Sequence, residues 1–211
     1  MTFETVNSRS GHIIPIVNGY HVHSAYNPIK EAKTFIDANL VKIAGEKNFL
    51  VFGAGFGYHI NELISYLQAN QRDNFKIFVV EPNENLRDYC IKNNSHPENV
   101  KFLLNSEPSE AFQNYEFVNF LSSKPVLLTH QASFNLSKDY FEKFLRFKSS
   151  RNVQDIIPHV IDERFQKALS TFKNKTIDEA ISEMNELKSI DLSSLLITTF
   201  SKIAGAREEN V

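Results

Sequence analysis

Between residues 47 and 150 the sequence alternates four times between a short apolar run and a longer stretch with helical spacing of its apolar residues. The apolar runs lie at 47–53, 75–82, 100–105 and 124–130, and the helical stretches at 58–70, 83–93, 109–121 and 136–150. Runs that are apolar throughout are typical of parallel strands buried on both faces. Their alternation with helices predicts an α/β chain with a doubly wound, Rossmann-like, mostly parallel sheet.

A small β-hairpin is predicted before this pattern, at residues 12–24. Asn18-Gly19 suits a two-residue turn in which both residues have a positive φ. Pro15 has no N–H to donate to a neighbouring strand, so we expect the first strand of the hairpin to be an edge strand.

A helix is predicted between the hairpin and the first long strand, over residues 28–44. Asn27 suits the N-cap, Pro28 the first helical position and Gly45 the residue after the end. Glu31 falls in the first turn, where the helix dipole favours a negative charge. It could also reach the carboxyl ends of the strands, where doubly wound folds bind ligands.

Beyond Arg151 the strand signals stop and helical spacing continues. Helices are predicted at 153–172, where Pro158 kinks or restarts the chain, at 176–189 and at 192–205. Thr176 and Glu179 form a capping box. The sequence therefore predicts a Rossmann-like domain with an N-terminal hairpin at 1–150 and a helical extension at 151–211. We expect the extension to cap the sheet, or to bind a protein partner or a second copy of the chain.

Composition narrows the classes of function. Lys and Arg number 23 against 25 Asp and Glu, so the net charge of −2 gives no bulk attraction to nucleic acid. No apolar run reaches the roughly 18–20 residues that a membrane span needs, and the first ten residues do not resemble a secretory signal. The single cysteine, Cys90, can form no intramolecular disulfide. We therefore expect a cytoplasmic protein that binds neither nucleic acid nor membrane.

A glycine loop follows the first long strand and opens the next helix. Gly53, Gly55 and Gly57 allow tight turns and close approach to a ligand, and the helix N-terminus favours an anion. The spacing is G-x-G-x-G, because Tyr58 stands where the dinucleotide form has its third glycine. Glu81 ends the next strand, where an acid can accept both ribose hydroxyls. The loop predicts a nucleotide or S-adenosylmethionine site, unless the glycines only permit tight packing.

Two later positions weaken a methyltransferase assignment. An acid or a polar group is expected near an adenine after the third strand, and Asn105-Ser106 offers only a substitute for it. After the fourth strand, His130 is the only acid–base candidate. His21 and His23 share one face of a strand, but a third and a fourth ligand are missing nearby in the sequence, so no metal site is predicted.

Three stretches together suggest a family. "HSAYNPIKEAKTFI" at 23–36, "FLVFGAGFGYHINELI" at 49–64 and "FVVEPN" at 78–83 resemble the N-terminal region of the motility accessory factor (Maf) proteins. The resemblance extends over residues 20–150. The matched motif positions are Asn27, Pro28, Glu31, Gly53, Gly55, Gly57, Tyr58 and His59.

The resemblance implies a role in bacterial flagellar glycosylation with nonulosonic acids. Maf proteins are distantly similar to the archaeal 6-hydroxymethylpterin pyrophosphokinases, and their transferase chemistry is assigned to a central domain that follows the matched region. The resemblance therefore implies an accessory domain that lacks its own transferase site. On this basis Asn27, Glu31, Tyr58 and His59 are candidate substrate-binding residues, together with His130. An S-adenosylmethionine-dependent methyltransferase remains the alternative, and a nucleotide-sugar or pterin-diphosphate transferase is a weaker third hypothesis.

Overall fold

The structure is a computed structural model that describes residues 2–70, 72, 74–104, 107–148, 150–160 and 163–186. The chain divides into two compact units, Met1–Phe147 and Lys148–Val211. Asn105-Ser106 and the helix predicted at 192–205 lie outside the described residues. No helix within the described ranges is long and apolar enough to cross a membrane.

The first unit contains seven strands and seven α-helices in its described part. The strands are β1 (Glu4–Asn7), β2 (Ile13–Val17), β3 (Tyr20–His21), β4 (Asn48–Phe52), β5 (Lys76–Val80), β6 (Val100–Leu103) and β7 (Val126–Thr129). The helices are α1 (Pro28–Ile43), α2 (Tyr58–Ala69), α3 (Glu84–Asn93), α4 (Pro108–Ala111), α5 (Tyr115–Leu121), α6 (Gln131–Leu136) and α7 (Lys138–Leu145).

Four parallel strands form the central sheet, in the order β6-β5-β4-β7. From β4 the chain adds two strands on one side and then returns to place β7 on the other side. The strand order therefore reverses between β4 and β7, which makes the carboxyl ends of these two strands the topological switch point of a Rossmann-like sheet. The predicted α/β fold class is confirmed.

Both faces of the sheet are covered, as a doubly wound fold requires. Phe49 and Val51 of β4 pack into one core cluster together with side chains of α1 and α2. Leu50 and Phe52, the alternate residues of the same strand, pack into a second cluster with phenylalanines of α5 and α7. Because successive side chains of a strand point to opposite faces, a strand covered on both sides is apolar at every position.

The N-terminal hairpin is confirmed, but it belongs to a three-stranded antiparallel sheet with the order β1-β2-β3. Asn18 and Gly19 have φ values of 50° and 79°, as the predicted turn requires. The prediction that Pro15 lies in an edge strand is wrong, because β2 is the middle strand. The Pro15 carbonyl accepts a hydrogen bond from the Val22 N–H. Because the N–H and the C=O of one strand residue point to the same side, the missing N–H of Pro15 faces β3. The strand β3 is short, so few hydrogen bonds are made on that side.

Helix α1 has the predicted start and N-cap, and it ends at Ile43, one residue before the predicted end. The Asn27 side chain accepts a hydrogen bond from the Lys30 N–H, and Gly45 follows the helix with a φ of 82°. Two other predicted helices differ. The stretch 109–121 is divided into α4 and α5, because the Asn114 side chain caps a new helix by accepting from the Phe117 N–H. The helix predicted at 136–150 is the shorter α7, Lys138–Leu145, and α6, directly after β7, was not predicted.

The second unit is helical where the structure describes it. It contains α8 (Val153–Ile156), a short 3₁₀ turn (Ile157–His159), α9 (Glu163–Ser170) and α10 (Ile177–Glu186). Pro158 lies in the 3₁₀ turn, so the predicted restart of the helix falls there. The capping box is present: the Glu179 N–H donates to Thr176 Oγ1, and the Thr176 N–H donates to Glu179 Oε2.

Candidate functional site

The glycine loop joins β4 to α2 at the carboxyl edge of the sheet. Gly53, Gly55 and Gly57 have φ values of 89°, 49° and 85°, so all three have the left-handed backbone that favours glycine. A Cβ atom at Gly53 would lie 2.2 Å from Ser133 Cβ, and one at Gly55 would lie 2.4 Å from His23 Nε2. The close approach that these glycines permit is therefore made by side chains of the chain itself.

Glu81 braces this loop from the end of β5. Its side chain is buried, and Oε2 accepts hydrogen bonds from the Ala54 N–H at 2.8 Å and from the Gly55 N–H at 3.3 Å. Oε1 accepts from the Asn83 N–H at 3.0 Å. Burial raises the pKa of this carboxyl above its ordinary value, although the three N–H groups favour the charged form. Both oxygens that were predicted to bind ribose hydroxyls are thus bound to backbone N–H groups.

His23 closes the same loop from the N-terminal sheet side. Its Nε2 accepts a hydrogen bond from the Phe56 N–H at 2.9 Å. The loop N–H groups at 54, 55 and 56 are therefore all bound by side chains of the chain, two by Glu81 and one by His23. These are the groups that a phosphate or a carboxylate would otherwise use at such a loop.

Two of the sequence stretches that carry the family resemblance contact each other beside the glycine loop. Glu31 Oε2 accepts a hydrogen bond from the Ser24 N–H at 2.9 Å and lies 3.4 Å from Nδ1 of His23. The Tyr58 hydroxyl donates to the Ile13 carbonyl at 2.6 Å, which joins α2 to the N-terminal sheet. The Tyr58 and His23 rings make an edge contact at 5.0 Å.

Three histidines cluster beside the loop. His23, His59 and His130 are 3%, 2% and 5% exposed, and one ring nitrogen of each lies within 4.8 Å of the others. His130 directly follows β7, and its N–H donates to the carbonyl of Phe52, the last residue of β4. The cluster therefore lies at the switch point between β4 and β7, where doubly wound folds bind ligands.

The outer nitrogens of two of these rings have fixed partners. His59 Nε2 lies 2.9 Å from the Gly53 carbonyl oxygen, which can only accept, so this nitrogen carries the proton. His130 Nδ1 lies 2.9 Å from Ser133 Oγ. The other nitrogen of His59, Nδ1, is one of the buried atoms in the described chain that have no hydrogen-bond partner.

Burial keeps the His59 and His130 rings neutral. Desolvation, with a smaller repulsion from His23, lowers the pKa of His59 to about 3. Desolvation also lowers the pKa of His130 well below its ordinary value, and His59 and His23 lower it further. Neutral imidazole is the form that binds metal ions and accepts protons.

A cavity of about 160 Å³ opens next to the cluster. It is lined by the three histidines, by Ala32 and Phe35 of α1, by Gln131 and Ala132 of α6, and by Glu31. Sites for drug-sized ligands measure about 300–1,000 Å³, so this cavity suits an ion or a small polar group rather than a whole nucleotide.

The structure brings together some of the candidate residues and separates others. Glu31, His59 and His130 share the cavity. Tyr58 contacts His23 at its border, and Asn27 caps α1 without lining the cavity. Gly53, Gly55, Gly57 and Glu81 form the closed loop.

Sequence reasoning missed the part that His23 plays. The sequence singles it out only as a histidine that shares a strand face with His21 and as the first residue of the resembled stretch. The histidine cluster was not visible either, because its three members are separated by more than 30 positions in the chain. Only the topology of the sheet brings them together.

The comparisons with known proteins add little to this geometry. No family model matches the chain, and no curated protein matches it. Among solved structures the chain is similar to MnmC2 from Aquifex aeolicus, with 17% identity and a TM-score of 0.37 over 53% of this chain and 45% of that chain. A similarity of this size bears on neither activity nor ligand. The strand order and the covered sheet faces define the class of protein, a Rossmann-like α/β chain.

Proposed function

We propose that this chain is a Maf-like Rossmann module of flagellar or cell-surface glycan biosynthesis. It acts as a binding module rather than as the transferase, and its ligand site is the histidine-lined cavity at the switch point. The glycine loop has a structural role, because it holds the N-terminal sheet and the strand ends together.

The observation that carries this proposal is the contact between the two motif halves. The resemblance rests on "HSAYNPIKEA" and "GAGFGYH" occurring in one chain. His23 and Glu31 come from the first stretch and Phe56 and His59 from the second, and all four lie at one site. A pair of motifs that builds one buried site has a physical reason to occur together.

The alternative, an S-adenosylmethionine-dependent methyltransferase, requires this arrangement to open. Glu81 would have to exchange backbone N–H groups for ribose hydroxyls, and His23 would have to leave Phe56. Each exchange breaks a buried hydrogen bond, and a buried donor left without a partner costs about 1–3 kcal/mol. The closed loop therefore weighs against a bound nucleoside at Gly53–Gly57.

Calorimetry with S-adenosylmethionine and its demethylated product tests which ligand this proposal allows. We expect no binding of these probes at millimolar concentration. Binding of either probe to the wild-type chain, retained in the exposed control Glu46→Ala, would instead establish a working nucleoside pocket.

Deletion of the gene in its own organism tests the biological side. Mass spectrometry of flagellin and of surface glycans should show loss of nonulosonic acid, restored by the wild-type gene. Unchanged glycans in the deletion strain would refute the link to glycan biosynthesis, whatever the result of the binding experiment.

A further inference from the structure

We propose that His23, His59 and His130 bind one divalent transition-metal ion, with Zn²⁺ as the best match. This inference names the ligand of the cavity in the proposed module, but it depends on the histidine geometry and not on the glycan role. Three imidazoles with a further open position are a common ligand set for zinc.

The first argument is the convergence of the three rings. One nitrogen of each histidine lies within 4.8 Å of the others, and the rings are almost fully buried. Two chelating nitrogens of a tetrahedral zinc site are separated by roughly 3.3 Å, as bonds of about 2.0 Å imply. The observed spacing is therefore expanded, and the side chains must rotate to bring the nitrogens into range.

The second argument is that each ring has a partner for its outer nitrogen. His59 Nε2 faces the Gly53 carbonyl, and His130 Nδ1 faces Ser133 Oγ. His23 Nδ1 faces the Glu31 carboxylate. Metal-binding histidines usually donate their second N–H to a carbonyl or a carboxylate, which fixes the tautomer and the direction of the ring, as the partners of His59 and His23 do. The Ser133 hydroxyl supports a metal-binding His130 when it accepts from Nδ1.

The third argument is the unpartnered nitrogen. With Nε2 of His59 on the Gly53 carbonyl, Nδ1 is a lone-pair acceptor that is buried without a hydrogen-bond partner. A buried acceptor of this kind is rare, because leaving it unpaired is unfavourable. A metal ion supplies the missing partner, and the cavity beside the ring offers access from the Glu31 side.

Metal binding requires two local changes. The His59 and His130 rings are stacked, with centroids 4.3 Å apart and planes at 7°, so one ring must tilt before both in-plane lone pairs reach one ion. A neutral imidazole has one ring lone pair, and His23 gives it to the Phe56 N–H. The ion therefore competes with this amide, and its binding should release the Phe56 N–H from His23.

The test uses the full chain without an affinity tag, stripped of metal and titrated with Co²⁺ and Zn²⁺. We expect one ion per chain, a tetrahedral Co²⁺ spectrum that Zn²⁺ abolishes, and faster amide exchange at Phe56 when the ion is bound. His59→Gln and His130→Gln should each weaken binding by at least the roughly 10–100-fold that loss of a hydrogen-bond partner behind a metal ligand costs.

His21→Gln is the matched control. His21 is exposed on β3, two residues from His23, so its replacement should leave binding unchanged. Circular dichroism of the metal-free variants establishes that they are folded. X-ray absorption of the zinc-loaded wild type counts the imidazole ligands without any substitution. Metal uptake no greater than that of the His23→Gln/His59→Gln/His130→Gln variant, or a zinc shell without imidazole nitrogen, would overturn the proposal.

Discussion

Replacing Glu81 by alanine tests whether its carboxylate stabilises the glycine loop or serves as an acceptor for ribose hydroxyls. In the structure the carboxylate accepts N–H groups from Ala54 at 2.8 Å and from Asn83 at 3.0 Å, with a longer third contact from Gly55 at 3.3 Å. Glu81→Ala leaves these donors without a partner in a buried region. If the carboxylate served mainly a ligand, the same change would have little effect on the free protein.

The expected magnitude follows from the two short bonds. A hydrogen bond to a charged group contributes about 1.5–3 kcal/mol, so the two together contribute about 3–6 kcal/mol. Removing a buried carboxylate recovers part of its desolvation cost, which offsets some of this loss. We therefore expect the free energy of unfolding to fall by about 2–4 kcal/mol. Glu81→Gln keeps one acceptor oxygen and should lose less.

Urea unfolding followed by circular dichroism gives the global effect, with linear extrapolation to water. Amide exchange at Ala54 and Gly55 gives the local effect, and both amides should exchange faster in Glu81→Ala. Glu46→Ala, an exposed change in the loop before β4, should stay within about 0.5 kcal/mol of wild type. Unchanged stability together with a protected Ala54 amide would refute the claim that Glu81 stabilises the glycine loop.

Three further predictions follow from buried groups of the same unit. His59 stays neutral in the fold while the unfolded chain takes up a proton below pH 6.5, so this residue alone should lower the stability of the metal-free protein by about 1.4 kcal/mol per pH unit from pH 6.5 toward 3. Burial lowers the pKa of His130 as well, so His130 adds to the slope, and His59→Gln should remove only the His59 contribution in urea titrations at several pH values. Gly55→Ala should destabilise by about 1–3 kcal/mol more than Gly45→Ala in denaturant unfolding, because its Cβ meets His23 whereas the Cβ at Gly45 meets open space; equal losses would contradict the contact. Burial, and to a lesser extent the nearby Glu81 charge, raise the pKa of Cys90 to about 12, so Ellman's reagent should label it only after unfolding, and fast labelling of the native chain would contradict this.

The fold was predictable because its signals are local. The apolar runs of β4 and β5 are continuous, and the Asn27 and Gly45 signals bound α1 without reference to the rest of the chain. The misplaced boundaries arise where two local signals compete. Asn114, for example, caps a new helix inside a stretch whose apolar spacing alone reads as one helix.

The site was predictable only in part, because its contacts are not local. Glu81 was placed at the correct strand end, but the sequence does not show whether its oxygens meet a ligand or the loop amides. The strand β1 was missed for a related reason. Residues 4–7 have no strong apolar alternation, and they form a strand because β2 supplies a partner.

The closed loop changes where chemistry can occur on this sheet. In a doubly wound fold the strand ends offer backbone N–H groups and side chains to a ligand, and here Glu81 and His23 have taken the N–H groups. The side chains that remain at the switch point are the imidazoles of His59 and His130, which burial keeps neutral. A neutral, buried imidazole pair beside a small cavity suits a cation better than an anion. His23 contacts the glycine loop and also belongs to the histidine cluster. A cation that binds its Nε2 lone pair would therefore also release the Phe56 N–H of the glycine loop.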